Sequence, residues 1–452
     1  KKNVAHYIPM LKTRIGLTNT AASALAKAAT IATRYSAVRR QGFAVGSSGA
    51  MNGEENQILD YQVQLFRILQ WTSTAFAIKF VARWLLRRRK EAEATMKSGE
   101  GSNDDLPEVH ASAAGLKALC CCLAADGIED LRRACGGHGY LMSSGIAPLE
   151  ADFKGPNTTA EGDYVVLALQ TARFLLKMVD AARGGTVGAL PGTTAIFARL
   201  ADPNFVPSRG DGRPVPPQDL VATLTCTDER GASAARQYLS ELFAYRSLVR
   251  CSLMSRAYKS SLERAQRAGS RDPVKAAREG NARALQTGAL AHVNFFMLSK
   301  FFAEVENIPY GAERLVCHRV AVFFALSQIA NGGNGWAGIL TQDECDAADL
   351  AVDKLCVLLR PECVALVDAF DISDTVLNSA LGKQDGRVYE ALFEAAKSSA
   401  MNYDPKTGVQ LSEGVPECLR AVEQYIDPAF LARGFAEGTG GPEGQSQPAA
   451  RL

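Results

Sequence analysis

Residues 10–39 read MLKTRIGLTNTAASALAKAATIATRYSAVR, thirty positions without a proline. Leu11, Ile15, Ala22, Leu25 and Ala29 recur at three- and four-residue steps or their sums, which places them on one face of a helix. Alanine, the best helix former, numbers 70 in the whole chain. The pattern extends outward from this stretch. No proline lies between Pro9 and Pro107, whereas six fall from Pro191 to Pro217. The spacing predicts helices at about 10–39, 56–93, 106–136 and 161–182, then at about 230–268, 273–306, 310–331, 341–359 and 385–400, with shorter ones between. From Gly184 to Pro217 the Gly-Gly, Pro-Gly and Pro-Val-Pro-Pro clusters predict a connection with short turns. Alternating β-type segments are almost absent. The expectation is an all-α protein with two helical-bundle domains in series, 1–183 and 218–430, joined by a linker at 184–217. A Gly/Pro/Gln-rich tail at 431–452 reads as disordered.

The chain has 452 residues, 47% of them hydrophobic and 22% charged, an ordinary globular composition. Fifty Lys and Arg against 48 Asp and Glu leave +2, which argues against broad electrostatic binding to nucleic acid or an anionic membrane. No apolar run reads as reaching the roughly 18 residues of a membrane span, and no signal peptide opens the sequence; the chain reads as soluble. Eleven cysteines show no Cys-x-x-Cys pair, and five histidines form no metal motif, so reduced thiols and no metal are expected. Lys1 in place of Met reads as a processed or truncated piece of something larger. Arg87, Arg88, Arg89 and Lys90 read as a solvated helix end. Asp104 and Asp105, with Glu108 three residues on, read as a capping box.

Three segments could carry chemistry. Cys135-Gly-Gly-His-Gly-Tyr140 follows a helix; its glycines suit either a helix-ending loop or a close backbone approach to phosphate. Thr158-Thr-Ala-Glu-Gly-Asp163 contains a formal capping box, Thr158 with Glu161, and Glu161 is alternatively a carboxylate base beside two loops. Arg34-Tyr-Ser-Ala-Val-Arg-Arg-Gln41 offers arginines for helix-end solvation or for clamping a pyrophosphate.

These segments, in this order, resemble the peroxisomal acyl-CoA oxidases, relatives of the acyl-CoA dehydrogenases. The resemblance is carried by residues 34–41, Ile58-Leu-Asp-Tyr-Gln62, Ala134-Cys-Gly-Gly-His-Gly-Tyr140 and Leu169-Gln-Thr-Ala-Arg-Phe-Leu-Leu-Lys177. Arg360-Pro361, Val364-Ala-Leu-Val-Asp-Ala-Phe-Asp371, Leu381-Gly382, Asp385-Gly386 and Val388-Tyr-Glu390 resemble the second helical domain that oxidases carry and dehydrogenases lack. It spans about residues 7–402.

The resemblance implies an FAD enzyme that converts fatty acyl-CoA and O2 to trans-2-enoyl-CoA and H2O2. It implies Glu161 as the catalytic base for the α-proton, in surroundings where flavin and acyl chain exclude water and raise a carboxylate's proton affinity. It places Arg14 near that glutamate and the thioester. Arg39, Gln41 and Gln62 match positions reaching the FAD of a neighbouring subunit, and Arg133, Gly136 and Gly137 match the loop near its pyrophosphate and adenosine; a homodimer is implied. The sequence departs from the family pattern at Ala160, where Tyr or Phe is usual, at Tyr164, where Asn is common, and at Gly42, where Phe is expected and Phe43 follows. The family's flavin ring and acyl pocket come largely from an N-terminal helical domain and a β-domain, so an N-terminal segment or subunit is the implied partner, without which FAD binding and acyl-CoA oxidation are not expected. Two alternatives stand beside this: a non-catalytic helical subunit or scaffold derived from the family, and an acyl-CoA dehydrogenase. Ala450-Arg451-Leu452 is similar to the Ser-Lys-Leu peroxisomal address.

Overall fold

In a computed structural model, the structure describes residues 2–43, 55–98, 105–186, 188, 190–331 and 335–403. It is built of helices. The first are α1 (Lys2–Val38), α2 (Gln62–Ser98), α3 (Asp105–Ala134), α4 (Ile146–Thr159) and α5 (Tyr164–Arg183). Then come α6 (Leu220–Thr225), α7 (Glu229–Arg267), α8 (Pro273–Glu279), α9 (Ala282–Glu306), α10 (Ala312–Ala330) and α11 (Gln342–Leu359). The short α12 (Cys363–Asp368) and α13 (Asp374–Leu377) precede α14 (Val388–Lys397). Between α1 and α2 the sequence forms a small antiparallel pair, β1 (Arg40–Phe43) and β2 (Glu55–Gln57), with Arg40 opposite Gln57 and Phe43 opposite Glu55.

α3 is the central helix. It is the one helix among the described residues long and apolar enough to cross a membrane, at a mean hydropathy of 1.4 over an 18-residue window within Leu106–Ala134. This corrects the expectation that no run is so apolar. Its apolar window is 72% buried inside the protein, against α1, α2, α4, α5 and α9, which is the position of a core helix.

Residues Lys1–Val388 form one compact unit, and Tyr389–Leu452 a second, of which 389–403 are described. The anticipated 184–217 linker leaves no gap between two halves. It holds a 3-10 segment, Gly192–Ala201, whose Phe197 and Leu200 are buried in one cluster with Leu175 and Val179 of α5, Leu248 and Met254 of α7 and Leu285 of α9. Each large side chain so buried contributes about 2 kcal/mol.

Several boundaries differ from the spacing. α2 starts at Gln62 because residues 55–60 go to β2 and a 3-10 turn. It runs to Ser98, so Arg87 to Lys90 do not end it; Arg87 pairs with Glu304 at 2.5 Å, Arg88 with Glu91 at 2.8 Å and Arg89 with Glu93 at 3.2 Å. The 273–306 helix is broken at Gly280 and Asn281 into α8 and α9. Glu108 is buried, accepting from Thr193 N at 2.8 Å and facing Arg88 at 3.4 Å. Asp104 and the tail at 431–452 lie outside the described residues.

Candidate active site

Ala160 to Asp163 make the whole connection between α4 and α5. Asp163 caps α5, its carboxylate accepting from Val166 N at 2.9 Å. Thr158 bonds back to the Lys154 carbonyl at 2.6 Å, within α4. The capping box of Thr158 and Glu161 is therefore not formed. Glu161 instead lies one residue past the C-cap of α4, where helices most often place a left-handed glycine, and its φ is +58°. That conformation costs a non-glycine residue about 1 kcal/mol. Gly162 follows at φ +113°, where a Cβ would come within 2.9 Å of Leu167 Cδ2.

Two buried cations fasten this turn by its carbonyls. Arg14 of α1, 5% exposed, donates from Nε at 3.3 Å and Nη2 at 3.2 Å to the Glu161 carbonyl. Its Nη1, also buried, has no hydrogen-bond partner among the described residues. Burial lowers the Arg14 pKa, with the Glu161 charge opposing. Lys117 of α3, fully buried, donates from Nζ to the carbonyls of Thr158 at 2.9 Å and Gly162 at 2.7 Å. Burial lowers its pKa as well. Two turns earlier on α3, His110 accepts from Gln170 Nε2 of α5, and burial followed by the Arg14 charge holds its pKa down. The Glu161 side chain itself is exposed.

The other residues singled out by sequence gather at the far end of α1. At about 1.5 Å rise per residue, the helix from Arg14 to Val38 separates the two groups by roughly 35 Å. The Arg39 carbonyl accepts from Ile58 N at 2.9 Å, and the Gln41 carbonyl from Tyr61 OH at 2.7 Å. Gln62 opens α2 and donates to Asp353 of α11 at 2.7 Å. Arg133, in the last turn of α3, is mostly exposed above Glu129 and Asp130 at 3.5 and 3.7 Å. Gly136 and Gly137 begin a 3-10 turn, and a Cβ on either would meet nothing within 4 Å, so this face of the loop is open. Its underside is fixed: Tyr35 OH is hydrogen-bonded to His138 Nδ1 at 2.9 Å, and Gln64 donates to Ser36 Oγ and the Ala134 carbonyl at 3.1 and 2.9 Å. Phe43, Val63, Tyr140 and Met142 are exposed apolar side chains.

Arg34 does not join this group as an anion clamp. It is buried and spent on the second half of the chain, donating to Asp368 at 2.8 Å, Asp374 at 3.3 Å and the Gly382 carbonyl at 2.8 Å. Sequence reasoning missed Lys117, although the signal was present as a single charge within ASAAGLKALCCCLAA, residues 111–125. Among the described residues the cysteines are free thiols, and no cluster of three His, Cys, Asp or Glu side chains could hold a metal.

Comparison with known proteins settles the family. The family described as acyl-CoA oxidase, C-alpha1 domain, matches residues 7–176, and that described as acyl-CoA oxidase matches residues 239–411. The chain belongs to the acyl-CoA oxidase family. The peroxisomal acyl-coenzyme A oxidase 1 of Rattus norvegicus is 34% identical over 408 residues, 88% of this chain and 56% of that protein. Its Arabidopsis thaliana counterpart is 34% identical over 424 residues, 92% of this chain and 57% of that protein. The chain thus spans little more than half the length of the curated acyl-CoA oxidases it matches. Among solved structures, Arabidopsis thaliana acyl-CoA oxidase 1 superposes with a TM-score of 0.76 at 30% identity, covering 96% of this chain and 58% of that one. Caenorhabditis elegans acyl-CoA oxidase-2, bound with FAD, ascaroside-CoA and ATP, gives 0.76 at 26% identity, covering 95% and 57%.

Proposed function

We propose that this chain is the base-bearing helical part of a flavin-dependent acyl-CoA oxidase, converting fatty acyl-CoA and O2 to trans-2-enoyl-CoA and H2O2. The observation that carries this reading is Glu161, a carboxylate exposed on a left-handed turn whose backbone is fastened by Arg14 and Lys117. A helix end that breaks the local glycine preference and is held by buried cations is a place where strain is kept for function. Glu161 takes the α-proton of the thioester, and Arg14 holds the Glu161 carbonyl so that the carboxylate is presented from one backbone position. Bound FAD would supply the hydride acceptor for the β-hydrogen and the route by which the electron pair reaches O2.

The two ends of α1 are too far apart for one dinucleotide, so they serve different flavins. Arg39, Gln41 and Gln62 would reach the FAD held by a second copy, and Arg133, Gly136 and Gly137 would hold its pyrophosphate and adenosine portion. The open glycine face and the exposed Arg133 guanidinium fit a phosphate-bearing group, and the exposed Phe43, Val63, Tyr140 and Met142 fit a covered contact. The working unit is then a homodimer, with an N-terminal α/β segment or subunit supplying the flavin ring and acyl pocket. The helices of 1–183 and 218–430 serve as its two helical domains. Location in the peroxisome is supported by the names of the relatives; Ala450-Arg451-Leu452, the proposed address, lies outside the described residues.

The test is Glu161→Gln in the complete enzyme, followed by flavin absorbance and by oxygen uptake with acyl-CoA. FAD stays bound and turnover falls by about a thousand-fold or more, because the amide cannot accept the proton. Turnover within a few-fold of the parent enzyme overturns the assignment of the base.

A further inference from the structure

Lys117 is among the largest fully buried side chains of the described residues. A buried ammonium is unfavourable unless its donors are well used, and this one has no carboxylate ion pair among the described residues. Both of its hydrogen bonds go to main-chain carbonyls, those of Thr158 and Gly162, on either side of Glu161. The Thr158 carbonyl needs a donor. In a continuing helix Gly162 N would supply it, but α4 has ended and Gly162 N turns to the Thr159 carbonyl at 3.1 Å. Lys117 fills that place from a different helix. Its stem rises from the centre of α3, where Ala114 and Ala118 are buried with Leu167 beneath Tyr164. The turn is thereby referred to the core helix through Lys117 and to α1 through Arg14.

We propose that Lys117 is a positioning residue for the base: by bridging the carbonyls of residues 158 and 162 it holds Glu161 in its left-handed conformation, ready for proton abstraction. This rests on Glu161 being the base. Without the bridge two carbonyls are left without a donor, and residues 158–162 move to recover hydrogen bonds. A displacement of about 1 Å in a reacting group can lower a rate by about a hundred-fold.

The experiment compares Lys117→Met and Lys117→Gln with the parent in the complete enzyme, at matched flavin content. Lys117→Met is expected to lower kcat by about ten- to a hundred-fold while KM changes less than about two-fold, because the lysine touches no substrate. The isotope effect on kcat with α-deuterated acyl-CoA rises as proton removal becomes limiting. Lys117→Gln retains an amide donor for one carbonyl, recovers part of the lost kcat and remains informative if the Met variant does not fold. A purely structural lysine gives the opposite: lowered yield and Tm, but parent kcat and isotope effect per bound flavin in the variants that fold. That result overturns the proposal. If Glu161→Gln abolishes turnover and both Lys117 variants keep it, only the positioning role fails; if Glu161→Gln keeps turnover, the base assignment itself fails.

Discussion

Arg14 and Arg34 stand on the same helix, roughly 30 Å apart, and are almost equally buried, at 5% and 6% exposure. Their surroundings are opposite. Arg34 is saturated by two carboxylates and a carbonyl, all from residues 368–382. Arg14 has one carbonyl and, among the described residues, no partner for Nη1, in contact with a strained turn rather than a carboxylate hydrogen bond. A saturated buried cation fixes two parts of a fold to each other. One left short of partners leaves a buried donor unused. The two ends of α1 differ accordingly: one holds the turn proposed to carry the base, the other anchors the underside of a loop whose upper face stays open.

This contrast can be broken by experiment. Arg34→Met leaves Asp368 and Asp374 facing each other without their cation and lowers unfolding stability by about 3–4 kcal/mol, read as a shift in urea midpoint, with turnover per folded enzyme nearly unchanged. A large loss of intrinsic turnover would erase the distinction between the ends.

Acid supplies the next test. His292, in the α7–α9 core and hydrogen-bonded to Ser247 at 3.1 Å, is held by burial at a pKa of about 4. The unfolded chain protonates this residue below about 6.5 and the native protein does not, so stability falls as pH drops from about 6.5 to 4, by up to about 3 kcal/mol. Urea midpoints between pH 7 and 4 should show this slope, reduced in His292→Asn. A slope that persists in that variant would shift the acid sensitivity to another group, with His110 beside Arg14 first in line.

Arg14→Met should reverse the Arg34 result. A methionine fills the space of the buried charge but leaves the Glu161 carbonyl without its donors, a stability loss of about 1–2 kcal/mol, whereas kcat/KM falls by about a hundred-fold, roughly 2.7 kcal/mol. Smallest of the four is Gly162→Ala, in which a Cβ at positive φ meets Leu167; it costs about 2 kcal/mol by thermal denaturation and also lowers kcat by displacing Glu161.

How far the sequence could be read follows from the range of each interaction. Helices such as α1 and α7 are stated by local periodicity, whereas the prolines are poorer guides to their ends: α1 starts at Lys2 and runs through Pro9, ahead of the start expected at about residue 10. The β1–β2 pair is not, because strands of four and three residues are too short to show alternation. At the site, the resemblance picked out Glu161 and Arg14, and the fold brings these two together. The Thr158–Glu161 spacing imitates a cap, however, and only the structure shows Asp163 performing that task. Lys117 meets its acceptors 41 and 45 residues along the chain, and Arg34 reaches partners 334 and 340 residues away. No window of local sequence contains such pairs.

The reach of Arg34 has a consequence for biosynthesis. A ribosome adds about 5–20 residues per second, so α1 emerges roughly 20–70 seconds before Asp368 has been made. During that interval Arg34 remains hydrated, and the helix carrying both ends of the site has no final partner along this flank. A nascent chain stalled before residue 368 therefore displays an incomplete bundle to chaperones and proteases, and one extended through Gly382 can close it.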